Sequence, residues 1–439
     1  MPLIIPSNSQ SATGYTIDQS IRFNKDDTPY MTRTPSGAGN TKKWTLSWWE
    51  KRGRNVNVTN GNEYTFHTST SGANNASYIY NYNNHPYYWE AGNTYIATMQ
   101  LRDPSAWYNN VVVYDSANSV ALERIKLFIN GTRITDFSTY GGITLNQDSY
   151  WNSATAHYIS NTSSSSCIDG YLAEIVFIDG QALDPSSFSE TNDSGIWIPK
   201  DPSGLTFGSN GFYLKGADSS ALGTDSSGNG NNFTTSGLAS HDQVSDSPSN
   251  NFCTGLPIGV GNATGVTFSD GNLTGKTSGT AGNWVGSISL SSGKWYFEVN
   301  NHANGSGNGY GVGETPEGSY HHFALGSGGN QINDYSVYKG GNSSGDIVGF
   351  KLDFDAGTLS HTLDGTSYSS TGSLTSNMAY AVYSRLGSSS GHVVFNFGQD
   401  STFGGLETAG SNSDSNGIGD FYYNVPSGFS AICTKNLGS

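Results

Sequence analysis

Asp169-Gly-Tyr-Leu-Ala-Glu-Ile-Val-Phe-Ile-Asp-Gly-Gln-Ala-Leu-Asp-Pro185 is the stretch that decides the fold. Tyr171 to Ile178 reads as a strand. Simple alternation puts Ala173, Ile175 and Phe177 on one face and Leu172, Glu174, Val176 and Ile178 on the other. Both faces are largely apolar, so a central strand covered on two sides is expected. Asp169-Gly170 and Asp179-Gly180 bracket it as turn dipeptides, and Asp184-Pro185 predicts a short helical turn. Residues 345–365 repeat the signal. Phe350, Leu352 and Phe354 alternate with Lys351, Asp353 and Asp355, then Asp355-Ala-Gly357 turns the chain back into Leu359, His361 and Leu363. That is a half-buried hairpin, so two β-units are expected, each with its own core strand.

Composition agrees. The 439 residues include 57 Gly, only 13% are charged and 13% are aromatic. Length predicts two or three domains. No long amphipathic helix is legible, which fits turn-rich β-sandwiches. The net charge of −15 argues against a nucleic-acid partner, which needs a basic patch. The densest basic pairs, Lys42-Lys43 and Lys51-Arg52, read as solvated strand ends. Cys167, Cys253 and Cys433 are distant from one another and lack metal or disulfide spacing, so small buried thiols are expected. No apolar run approaches a membrane span and the N-terminus lacks a signal-peptide core, so neither membrane insertion nor secretion is expected.

Along the chain, residues 1–15 read as an arm. Strands are expected at 17–23, 30–33 and 44–49, where Trp44, Leu46 and Trp48 share one face. Residues 78–95 are dense in Tyr. Tyr78, Tyr80 and Tyr82 alternate as core-filling residues would. Beyond Asn83-Asn84-His85-Pro86, the run Tyr87-Tyr88-Trp89 reads as a loop whose rings cannot all point inward. Rigid aromatic side chains with polar tips suit ligand contact, which makes Tyr87, Tyr88 and Trp89 candidate binding residues. Tyr320, His321 and His322 are loop candidates in the second half.

Five segments carry a family likeness: Ser20-Ile-Arg-Phe-Asn24, Trp44-Thr-Leu-Ser-Trp-Trp-Glu-Lys-Arg52, Leu101-Arg-Asp-Pro-Ser-Ala-Trp-Tyr108, Arg124-Ile-Lys-Leu-Phe-Ile-Asn-Gly131 and Asp169 to Leu183. Together, over roughly 15–215, they resemble the laminin-G-like, concanavalin-A-type domain of virion proteins from marine tailed bacteriophages. Lys294-Trp-Tyr-Phe-Glu-Val299, Tyr310-Gly-Val-Gly313, Asp346-Ile-Val-Gly-Phe-Lys-Leu-Asp353 and Phe395-Asn-Phe-Gly398 resemble a SPRY-type β-sandwich, a binding fold and not an enzyme family. Tyr423 to Leu437 is similar to the ending of the same phage proteins.

These likenesses imply an all-β chain of two antiparallel β-sandwiches, a concanavalin-A-like jelly roll at 16–216 and a SPRY-like sandwich at 256–402. A polar linker at 217–255 would join them, and 403–439 would pack on the second. They also imply a virion-surface location, other virion proteins as partners, a host-surface glycan as ligand and a homo-oligomer, a trimer by analogy with fibres. A fibre or spike component is the first expectation, a capsid decoration protein the second and a glycan-degrading enzyme the third.

The chemistry for an enzyme is thin. Gly341-Asn-Ser-Ser-Gly345 and Gly387-Ser-Ser-Ser-Gly391 match a nucleophile-elbow pattern but precede strands rather than helices. Glycoside hydrolysis needs two facing carboxylates. Glu174 and Asp179 are five apart on one strand and face opposite ways, while Asp353 and Asp355 read as solvated edge acids. Catalytic residues and a cofactor are therefore not expected. Asp225 with Asn229 to Asn232 could supply calcium ligands, but Asx turns are the preferred reading.

Overall fold

The computed structural model describes residues 14–54, 62–69, 76–161, 166–257, 265–303, 308–315, 322–326, 338–339, 343–387 and 390–438; for 69, 314–315, 322–326 and 338–339 it describes the backbone course. The chain is all-β. Its one α-helical turn among the described residues is Thr434–Leu437. Two compact units meet in sequence between Ser249 and Asn250.

The first unit is two facing sheets. Sheet I runs, in spatial order, Thr132–Arg133, Ile125–Ile129, Trp107–Asp115, Lys43–Arg52, Gly170–Asp179, Ser20–Phe23 and Gln243–Val244, with Phe212–Leu214 also paired to Gly170–Asp179. Sheet II runs Phe137–Tyr140, Asn93–Ala97, His85–Glu90, Ala76–Tyr82, Glu63–Ser69, Ala156–Ser160, Tyr30–Arg33 and Thr234–Ser236. Between them Trp44, Leu46, Trp48 and Phe177 of sheet I meet Met31, Phe66, Tyr88 and Ile159 of sheet II in one core.

Sheet I is buried on its other face too. Val111, Val113, Val176 and Ile178 pack under Phe188, Phe207 and Tyr213, and Trp49, Tyr171 and Ala173 under Ile17 and Val244. Gly170–Asp179 is thus the central strand expected, but not with the expected faces. Leu172, Ile175 and Phe177 point into the core, whereas Ala173 and Val176 point outward. The ladder to Lys43–Arg52 shifts between Ala173 and Val176, and Glu174 sits there at φ +49°. One extra residue in a bulge reverses the parity of the strand. Position 170, where the strand begins, must be glycine: its φ is +148° and a Cβ there would lie 2.4 Å from the Lys51 carbonyl. Pro185–Ser187 is the expected short helical turn, of 3-10 type.

Residues 217–249 are not a linker. Leu222 and Phe233 enter the core, Thr234–Ser236 pairs with Tyr30–Arg33, and Gln243–Val244 pairs with Ser20–Phe23. The Ser20 hydroxyl donates to the Asp246 carbonyl at 2.6 Å, and the buried Arg22 guanidinium lies 3.6 Å from Asp242. Short strands separated by Asx turns look like linker in composition but complete both sheet edges.

Lys51 and Arg52 are also not solvated. Lys51 is fully buried with Nζ 2.7 Å from Asp246 Oδ2, and Arg52 donates to the Leu101 carbonyl at 2.6 Å. They lie mid-sheet, where the following segment brings the balancing acid. Lys43, at a strand end, is partly exposed beside Asp115.

The second unit has the same two-layer plan. Sheet III runs Val266–Ser269, Thr274–Thr277, His392–Asn396, Lys294–Ala303, Asp346–Asp353, Thr358–Thr362 and Ser369–Ser373, with Ser430–Ala431 beside Lys294–Ala303. Sheet IV runs Gly282–Leu290, Ala379–Leu386, Gly309–Thr315, His322–Gly326 and Tyr338–Lys339. Phe297, Phe350, Leu352 and Phe395 face Trp284, Tyr310, Tyr380 and Val382 across the core. The 345–365 hairpin forms as read, with Leu352 opposite Leu359. The chain's end belongs to this core through Phe421, Phe429 and Ile432. There the backbone N–H groups of Tyr422 and Tyr423 donate to buried Glu298 at 2.9 and 2.8 Å. All three cysteines are buried free thiols.

Candidate functional site

The run Tyr87-Tyr88-Trp89 is strand, not loop. Asn83 and Asn84 both take positive φ, +50° and +64°. This two-residue turn pairs Tyr82 with His85. Asn tolerates that conformation, so the aromatic run continues straight into His85–Glu90. Strand geometry then splits the three candidates. Tyr88 points into the core and is 1% exposed, its hydroxyl on Glu90 Oε2. Tyr87 and Trp89 point outward and are half-buried.

Tyr78, Tyr80 and Tyr82 have the expected period and the opposite sense. Ile79 is the core residue, and the tyrosines face outward, opposite Trp89, Tyr87 and His85. The inward partners of their strand are partly polar. Ser77 donates to Glu90 at 2.7 Å and Asn81 to Glu50 at 3.0 Å. A buried polar network occupies positions where apolar side chains are normally expected.

The outer face of sheet II therefore carries a continuous aromatic strip. Its rings run from Tyr30 to Tyr158 (6.3 Å between centroids), Tyr158 to His67 (4.5 Å) and His67 to Tyr64 (6.1 Å). It continues from Tyr64 to Tyr80 (4.8 Å), Tyr80 to Tyr87 (3.9 Å) and Tyr87 to Tyr82 (6.2 Å), with Tyr78 and Trp89 beside it, 5.2 Å apart. Five adjacent strands contribute. His67 and Tyr158 are inclined by only 7°, Tyr80 and Tyr87 by 30°. Rings this close and this parallel use their faces on each other, so edges and hydroxyls remain for a ligand.

The strip is uncharged. Residues paired across the ladder share a face, and the outward described positions of sheet II, such as Thr32, Thr234, Ser236, Thr94 and Ile96, include no Asp, Glu, Lys or Arg. Burial pushes the His67 imidazole down to about 4, so it is neutral at ordinary pH. Burial likewise raises the Tyr78 and Tyr80 phenols, which keep their protons.

Of the second-half candidates, Tyr320 and His321 lie outside the described residues. The backbone at His322 opens a strand of sheet IV rather than a loop.

The carboxylates weighed for catalysis are engaged separately. Glu174 accepts from Tyr15 Oη at 3.0 Å and from Tyr213 Oη, and burial pushes it up to about 7. Asp179 accepts from the backbone N–H of Asn40 at 2.8 Å and of Asn210 at 3.1 Å. Asp353, at the end of an interior strand rather than at a sheet edge, is mostly buried and pairs with Lys294 at 2.9 Å. Asp225 forms the Asx turn: its oxygens take the N–H groups of Tyr213, Ser227 and Asn231 and the Ser227 hydroxyl, all within 2.9 Å. Among the described residues no three His, Cys, Asp or Glu are placed to hold a metal ion.

No family model matches the chain, and no curated protein does. Solved structures similar to it include the SPRY domain of human HERC1, 18% identical over 28% of this chain and 87% of that one, with a TM-score of 0.22. Another is the native heptameric SAP-like pentraxin from Limulus polyphemus, 14% identical over 38% of this chain and 78% of that one, with a TM-score of 0.25. Neither is a bacteriophage protein.

Proposed function

We propose that this chain is a non-enzymatic surface protein of a bacteriophage particle, a fibre or spike component that binds a neutral host-surface glycan through the outer face of sheet II. The observation that supports glycan binding is the uncharged strip of half-buried rings on a protein of net charge −15. This face presents phenols, hydroxyls and amphipathic ring edges, which suit a neutral, oxygen-rich ligand. The phage assignment rests on the likeness of the five sequence segments. The reading includes a homotrimer joined to other virion proteins through the N-terminal arm, because repeated weak sites gain avidity.

The test is adsorption. A Tyr87→Ala/Trp89→Ala variant should fold, enter particles and attach poorly to host cells or to their extracted neutral polysaccharide. Unchanged adsorption of such particles would overturn the reading, as would antibody labelling confined to the capsid shell, which would favour decoration.

A further inference from the structure

Building on that glycan reading, we infer that the ligand is an extended, unbranched, neutral polysaccharide that lies across the strands of sheet II and is gripped along its interior, not at its end. The strip crosses strands rather than following one. From Tyr30 to Tyr87 it passes over five neighbouring strands. Adjacent strands are ~4.8 Å apart, so the strip is roughly 19 Å long, with one ring-bearing step per strand. A sugar residue in an extended chain advances by about that step. Each residue of such a chain would meet the ring edges and hydroxyls of one strand, for about five residues in all.

Both ends of the strip are open. Ser236, opposite Tyr30, and Thr234 on the next strand continue the outer face past Tyr30 with hydroxyls, and Thr94 does so past Trp89. The ladder positions paired beyond either end are hydroxyl side chains, so the strip continues into them as it would along a longer polymer. Other occupants fit worse. An anionic polymer is repelled by the chain's net charge. A cationic one needs open ring faces, and His67 has its faces against Tyr158 and Tyr78. An added peptide strand needs a sheet edge, and the strip is a face.

The experiment measures binding of full-length protein to size-fractionated neutral glucan and galactan oligosaccharides of about one to eight units, alongside the parent polysaccharides. Affinity should rise by about tenfold or more from two units to about five and then level off. Tyr30→Ala and Trp89→Ala, at opposite ends of the strip, should each lower the length at which it levels off, with the melting temperature unchanged. Equal affinity for monosaccharide and polysaccharide would overturn the extended-chain inference and leave glycan binding standing. Binding to no neutral glycan of any length would overturn both.

Discussion

Tyr88 and Trp89 are consecutive residues on opposite faces of sheet II. The Tyr88 side chain is sealed in the core with its hydroxyl on Glu90, while Trp89 lies 5.2 Å from Tyr78 on the outer strip. Replacing them should therefore have separable effects. Tyr88→Ala should destabilise the first unit by about 3–5 kcal/mol, as for other buried large aromatics. Trp89→Ala should leave the melting temperature nearly unchanged and weaken glycan binding. Paired thermal melts and binding isotherms of the two single variants check this. Equal losses of stability would place Trp89 in the core.

Trp44 and Phe350, both fully buried, serve the same purpose in the two sandwiches. Each changed to Ala should cost about 3–5 kcal/mol. Because they belong to separate cores, each should lower a different transition if calorimetry resolves two. A single transition lowered by both would mean the units unfold together.

The pair Lys51–Asp246 ties residues 217–249 to sheet I. Both side chains are fully buried, 2.7 Å apart, and Trp107 Nε1 donates to the second Asp246 oxygen at 3.1 Å. Asp246→Ala leaves a buried ammonium without its acid, a change that costs about 3–5 kcal/mol. A chain ending at residue 249 should fold, whereas one ending at 216 should not, since it lacks Leu222, Phe233 and two edge strands as well as Asp246. Limited proteolysis and circular dichroism of the two truncations give the answer.

Glu174 adds a pH dependence with a definite sign. Its folded-state value is pushed up to about 7, by burial above all, from an ordinary 4.5. Below about 4.5 both states hold the proton; between 4.5 and 7 only the folded state does. Stability from this group is therefore lost as pH rises through that window and is constant above it. The swing is about 3 kcal/mol. Glu174→Gln keeps the shape and abolishes the titration, so the parent-minus-variant stability should fall by that order between pH 4.5 and 7.5. A difference that stays flat would refute the assignment.

How much of this was legible follows from what each signal encodes. Apolar alternation located the central strands and their cores, because burial selects side chains directly, as at Trp44, Leu46 and Phe350. It failed at Glu174, where a bulge reverses parity without any Gly or Pro to announce it. It failed in sense at Tyr78, Tyr80 and Tyr82, because period 2 fixes which residues share a face but not which face is buried. Polar Ser77, Asn81 and Glu90 on the inner side hid the answer. Residues 217–249 look like linker because composition reports solvation, whereas edge strands of three and two residues, Thr234–Ser236 and Gln243–Val244, depend on partners far back in the sequence at Tyr30–Arg33 and Ser20–Phe23. The strip itself was half visible: Tyr87 and Trp89 stood out, but Tyr30, Tyr64, His67 and Tyr158 come together only through strand order.

The neutrality of the strip gives the last test. Binding that depends on charge weakens with salt, changes with the titration of its groups, or needs a bridging cation. Here the outward described positions of sheet II carry no Asp, Glu, Lys or Arg, and the imidazole stacked among the rings, His67, is held down to about 4, so it stays neutral upward of about pH 5. The face has a second imidazole at its turn, His85 opposite Tyr82, whose ring nitrogens meet the Met99 carbonyl and Gln100. The Asp225 turn, weighed as a calcium loop, has its carboxylate oxygens committed to local donors. With the turn imidazole removed by His85→Gln, glycan affinity should therefore be level between about pH 5 and 9, and in the parent it should change less than about twofold between low and high salt and survive chelation by EDTA. His67→Phe should bind like the parent, because the neutral ring acts as a stacking partner for Tyr158 and Tyr78. Strong loss of binding in EDTA, or in high salt, would show that charge or calcium carries the contact and would move the site away from this face.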